Sequence, residues 1–136
     1  MTITNRVSLK SVMAGVTPIA DVPDAPTVSA ANVGTSRAFN NGSATVTVTA
    51  AATGGTPTTF TATSNPGSYT ATGTSPLTVT GLQSATSYTF NVTGTNTTAT
   101  GSAGTSASIT ATTVPQVPGT PSTKSIQKIK SPFDDL

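Results

Sequence analysis

The side chains from which this 136-residue chain could build a reaction are four carboxylates, six cations and a large stock of hydroxyls. The sequence contains no Glu, His, Cys or Trp. That removes the usual zinc ligand sets, a thiol nucleophile, an imidazole base and any disulfide framework. The carboxylates are Asp21, Asp24, Asp134 and Asp135. A glycosidase needs its two carboxyls held rigidly about 5–9.5 Å apart across a cleft. Adjacent residues three positions from the chain end, such as Asp134 and Asp135, have no element to hold them so. Ser and Thr hydroxyls abound, but none has a His, Glu or buried Lys near it in sequence to act as base. Gly54-Gly55 and the glycines at 101 and 104 lack the strand–loop–helix setting of a phosphate cradle. The reading is therefore no catalysis, no metal and no cofactor. Three Asn-x-Ser/Thr triplets, at Asn41, Asn91 and Asn96, are what chance supplies in a chain so rich in Ser and Thr.

The chemistry that remains is docking. Arg6, Lys10, Asp21 and Asp24 precede residue 25, and Lys124, Lys128, Lys130, Asp134 and Asp135 follow residue 123. Between these groups Arg37 is the only charge. The formal net charge of +2 is thus spread over two arms and is not a basic face with aromatic platforms, so no nucleic-acid partner is expected. A membrane span would need about 18 consecutive apolar residues, and no such window exists. The apolar stretch over 12–20 is broken by Thr17 and Pro18, so a cleaved leader is not expected.

The C-terminal arm follows a Pro-rich linker over 114–121, which should be extended and fairly stiff. It carries Ile126, Ile129, Phe133 and Leu136 in an otherwise polar tail, with Lys124, Lys128 and Lys130 among them. Disordered segments without a partner are poor in large apolar residues. These four read as anchors of a docking peptide, and the lysines as steering charges for an acidic partner surface. Val7, Leu9, Val12, Met13, Val16 and Ile19 invite the same reading for the N-terminal arm.

Such arms need a body to position them, and the middle of the chain supplies one. Thr45-Val46-Thr47-Val48-Thr49, Leu77-Thr78-Val79-Thr80 and Tyr88-Thr89-Phe90-Asn91-Val92-Thr93 alternate polar and apolar residues with period two. Successive strand side chains point to opposite faces, so these are half-buried strands with a Thr-covered wet face. Thr suits that face because its branched Cβ favours extended backbone while its hydroxyl stays hydrated. Turn residues at Asn40-Asn41-Gly42, Gly54-Gly55-Thr56-Pro57, Asn65-Pro66-Gly67 and Gly73-Thr74-Ser75-Pro76 divide the segment. The spacing predicts seven strands, over 27–33, 44–50, 58–64, 68–71, 77–80, 87–95 and 106–112, with a long polar loop over 95–104. Seven short strands in about ninety residues fit two antiparallel sheets packed face to face. The core is expected from Val28, Val46, Val48, Phe60, Leu77, Val79, Leu82, Tyr88, Phe90, Val92 and Ile109. The organisation is an arm over 1–24, a sandwich over 25–114, and a linker with docking tail over 115–136.

The segment Val22-Pro23-Asp24-Ala25-Pro26 resembles the Pro-rich lead into the first strand of fibronectin type III domains. The stretch from Leu77 to Val92 is the strongest match. There Leu82 precedes Tyr88 by six residues, as in that family's tyrosine corner, whose phenol bonds back to nearby backbone. The resemblance covers about two thirds of the chain and implies an all-β, immunoglobulin-like sandwich. The Trp usual in the second strand is missing, leaving Val46 and Val48 there, and no Arg-Gly-Asp adhesion tripeptide occurs.

Small Thr-rich modules of this kind look like those on the virions of tailed bacteriophages. The resemblance implies a structural protein at the virion surface, made in the host cytoplasm. A capsid decoration or cement protein is the first expectation, and a neck or tail accessory protein the next. Its partners would be the major capsid protein or neck and tail proteins, further copies of itself, and weakly a host-surface glycan. A different class would be a secreted bacterial spacer or polysaccharide-binding module, in which Tyr69 is the one ring available for stacking on a sugar.

Overall fold

In the computed structural model, which describes residues 21–97 and 99–120, the alternating segments all become strands and no helix forms. The strands are β1 Thr27–Asn32, β2 Gly42–Thr49, β3 Thr59–Asn65, β4 Thr70–Gly73, β5 Leu77–Leu82, β6 Thr86–Thr95, β7 Thr100–Thr105 and β8 Ile109–Ala111. One sheet has the order β1-β2-β5. The other has the order β4-β3-β6-β7, and β8 continues along β6 beyond β7. All pairings are antiparallel.

Register follows from burying one face of each strand. Val46 lies opposite Ala30 on one side and Leu77 on the other, so all three point inward. Phe90 pairs with Ser64, and Val92 with both Ala62 and Gly104. A slip of one residue would carry every one of these side chains to water. Between the sheets Val46, Val79, Leu82, Tyr88, Phe90 and Val92 are fully buried, with Val48 and Leu77 nearly so. Val28, Phe60 and Ile109 pack against this core from its margin and stay partly exposed. Ala44, Ala62 and Ala111 complete it. Small residues there let the sheets close on Tyr88 and Phe90, the largest of the fully buried side chains.

The expected count of seven strands gives way to eight. The region 95–104, expected as a loop, contains β7, and the last expected strand shrinks to β8. Both lie along β6, at opposite ends of it. Ser106 divides them. Its N–H donates to the Phe90 carbonyl at 3.0 Å, and its hydroxyl accepts from the Phe90 N–H at 3.0 Å. A side-chain oxygen stands where a ladder carbonyl would be, so the strand breaks there without leaving β6 unpaired. The connection from β6 to β7 is correspondingly tight, closed by Asn96, whose Oδ1 accepts from the Ala99 N–H at 3.0 Å.

The strand directions give the sandwich two poles. Thr95, the loop between β2 and β3, and Asp21 meet at one pole, where the Asn96 amide donates to the Asp21 carbonyl at 2.6 Å. Thr86, Ala111 and the loop between β1 and β2 meet at the other. Residues 21–26 run from the first pole along the inner side of β7. There Pro23 and Pro26 are buried, Pro23 bridges to Gly54, and the Gly55 N–H donates to the Val22 carbonyl at 3.0 Å. Residues 21–24, counted with the N-terminal arm in the sequence, are thus fastened to the body.

Candidate functional site

Tyr88 begins the site because it joins the core to one pole. Its side chain reaches from β6 across the sandwich to the residue after β5, where its Oη accepts from the Gln83 N–H at 3.0 Å. The phenol oxygen thus ties the chain to the core where it leaves β5. Tyr88→Phe keeps the ring and removes the acceptor. We expect it to lower stability by about 0.5–1.5 kcal/mol, seen as an earlier urea midpoint at unchanged slope. A midpoint identical to that of the parent would mean that the bond contributes nothing.

Tyr69, the expected sugar platform, is packed. Its ring stands edge-on to Tyr88 at a centroid distance of 6.1 Å and an interplanar angle of 75°. It also lies against Gly67 and Gly81 and is left only partly exposed. The geometry is the favourable T-shape of an aromatic pair and stabilises this corner.

The sheet faces carry hydroxyls in register. On the outer face of the larger sheet, Thr61 opposes Thr72 and Thr93, and Thr95 opposes Thr59 and Thr100. Several of these groups bond one another: Thr61 to Thr72 at 3.1 Å, Thr95 to Thr100 at 2.9 Å, and the Thr105 hydroxyl to Asn91 Oδ1 at 2.8 Å. The smaller sheet shows Thr27, Thr45, Thr47, Thr49, Thr78 and Thr80 outward. Neither face bears a charge. Of the Asn-x-Ser/Thr asparagines, Asn96 is buried and donates to the Asp21 carbonyl, so its amide serves the fold.

Among the described residues, charge and large exposed apolar side chains gather at the poles and along the exit past Val114. At the first, Asp21 and Asp24 are exposed beside Val22, and Asp24 Oδ2 accepts from the Thr53 hydroxyl at 2.7 Å. At the second, Arg37 lies in a loop that is closed on itself. Its Nε donates to the Asn41 carbonyl at 2.7 Å and its Nη2 to Asn41 Oδ1 at 3.3 Å. The Arg37 carbonyl accepts from the Val114 N–H, and Asn40 Oδ1 from the Ser84 N–H. Val33 and Phe39 belong to the same loop and Val114 is bonded to it, each at least 39% exposed.

No family model and no curated protein matches the chain. The reading of the poles therefore stands on their geometry alone. Among the described residues no helix is long and apolar enough to cross a membrane, and no three metal-ligating side chains cluster. The anticipated docking residues Lys124, Ile126, Lys128, Ile129, Lys130, Phe133 and Leu136 lie outside the described residues, as do Asp134 and Asp135. The chain runs toward them from the Arg37 pole, beyond Val114. Phe39 escaped the sequence reading because it lies outside the alternating segments, and Val33, placed in the first expected strand, falls just past the end of β1.

Proposed function

We infer that this chain is a non-enzymatic assembly protein of a tailed-bacteriophage virion, with a fibronectin type III-like, immunoglobulin-like sandwich as its body. A capsid decoration or cement protein is the form that fits best. One observation carries the reading: the body has uncharged Thr-covered faces, and its charges and exposed large apolar residues gather where the chain enters and leaves it. An enzyme concentrates perturbed polar groups in a concave pocket. An assembly module presents attachment points at its ends. The two ends are on opposite poles, which suits a cement that ties two neighbours together. Tyr69 packs edge-on against Tyr88 and is only partly exposed, which weighs against the polysaccharide-binding alternative.

Deleting residues 123–136 is expected to leave folding intact and to abolish incorporation into the particle, scored by whether the protein bands with capsids in a density gradient. Within that segment Phe133→Ala should be the worst single change. A buried aromatic anchor can carry 2 kcal/mol or more, roughly a thirtyfold loss of affinity. Replacing Lys124, Lys128 and Lys130 should mainly slow association and weaken its salt dependence. Normal banding of the tail-deleted protein would remove the tail from the attachment.

A further inference from the structure

The three charges of the described residues sit at opposite poles with opposite sign. Asp21 and Asp24 are at one, and Arg37 is at the other. The exposed large apolar residues divide the same way. Val22 is 48% exposed at the acidic pole; Val33 at 48%, Phe39 at 40% and Val114 at 39% lie at the pole of the cation, with Val117 further along the exit. Nothing comparable lies on the flanks, where Thr hydroxyls bond one another across the strands.

We propose that copies of this chain stack head to tail, the Asp21–Asp24 pole of one docking on the Arg37 pole of the next. Charge complementarity chooses the occupant. A like pole would set Arg37 against Arg37 or two carboxylates against two, whereas the opposite pole of a second copy brings unlike charges together. A guanidinium has five N–H donors in a planar fork. The Nε and Nη2 bonds to Asn41 fix that plane and leave donors free for a carboxylate from the neighbour. The receiving loop is ready-made: Val114 bonds the Arg37 carbonyl and Ser84 bonds Asn40, so little ordering remains to be done on association. Val22 would then meet the apolar rim of Val33, Phe39 and Val114.

Such a contact is heterologous, because the two surfaces are different. It generates open rows or rings and no closed twofold dimer. The end of one sandwich is small beside the roughly 1,200–2,000 Å² of a standard interface. The contact is therefore weak in dilute solution and gains from copies held close together on a shared scaffold. The inference rests on the assembly reading for that setting only, since the contact itself belongs to the purified chain.

The test is sedimentation velocity of the full chain over a wide concentration range. The weight-average sedimentation coefficient should rise with concentration and fall back in high salt, where the Debye length shrinks to about 3 Å. Arg37→Asp should weaken association roughly tenfold, as should the pair Asp21→Lys and Asp24→Lys at the other pole. Mixing the two variants, or combining all three changes, restores opposite signs and should restore association. An unchanged circular dichroism spectrum shows that each variant is folded. A coefficient independent of concentration, as expected if the poles serve a different virion protein, overturns the proposal. So does association that ignores Arg37→Asp or fails to recover on charge exchange. Either failure leaves the banding result of the tail deletion untouched, so the two readings fall separately.

Discussion

Leu82→Ala is expected to destabilise the sandwich by about 2–5 kcal/mol, the range for deleting a buried leucine side chain and leaving a cavity. Domains of this size are stable by only about 5–15 kcal/mol in total. The change would thus remove a large share of the whole. Leu82 is fully buried and closes β5 opposite Gly42, where a bulge shifts the register of β2. A Cβ at Gly42 would crowd the Leu82 carbonyl oxygen and Cβ, so the backbones already approach closely there. Neighbours locked by a bulge on one side and the Tyr88–Gln83 bond on the other have little room to collapse into the gap. The cost should accordingly fall in the upper part of that range. Urea unfolding measures it, with Thr78→Ala on the exposed face of the same strand as control, expected within about 0.5 kcal/mol of the parent. A Leu82→Ala midpoint as close to the parent as that of the control would refute a core organised around this corner.

What the sequence discloses here is what local pattern controls. Thr alternating with Val, Leu or an aromatic residue can be satisfied only by strands with one wet face, so β2, β5 and β6 were legible to within a few residues. β7 was not. Thr100-Gly101-Ser102-Ala103-Gly104-Thr105 has no apolar alternation and two poor strand formers. It is a strand because the neighbouring ladder of β6 and the overlying prolines hold it extended, and both are non-local. The break at Ser106 depends on one hydroxyl finding one amide in β6, which composition cannot reveal. The same limit applied to the poles. The sequence shows that charges avoid the body, but that Asp21 and Arg37 lie at opposite ends of it follows only from the strand directions. Likewise Tyr69 looks exposed by position and is packed because Gly67 and Gly81 make room for its ring.

The glycines of β7 carry the second large effect. Gly101 and Gly104 face inward, and a Cβ on either would overlap the carbonyl oxygen of Pro23 or Pro26. Those oxygens belong to backbone, so no rotamer change can clear the overlap. Gly104→Ala is therefore expected to lift residues 21–26 off β7. With them would go the burial of Pro23 and Pro26, the Gly55–Val22 bond and the Asn96–Asp21 bond. Two hydrogen bonds at about 0.5–1.5 kcal/mol each, together with the partial loss of burial at Pro23 and Pro26, set a loss of roughly 2–4 kcal/mol. Because β1 begins at Thr27, immediately after this segment, the disturbance also reaches the edge of the smaller sheet. Gly101→Ala acts on Pro23 alone and should free the entry while leaving β1 paired. Gly119→Ala, with open space around it, should change nothing. Hydrogen exchange reads the difference site by site: faster exchange of the Gly55 amide in both β7 variants, and of the β1 amides only in Gly104→Ala. A Gly104→Ala protein whose Gly55 amide is as protected as that of the parent would show that the segment is held by something other than its seat on these glycines. The acidic pole would then owe its position to the Asn96 contact and not to β7.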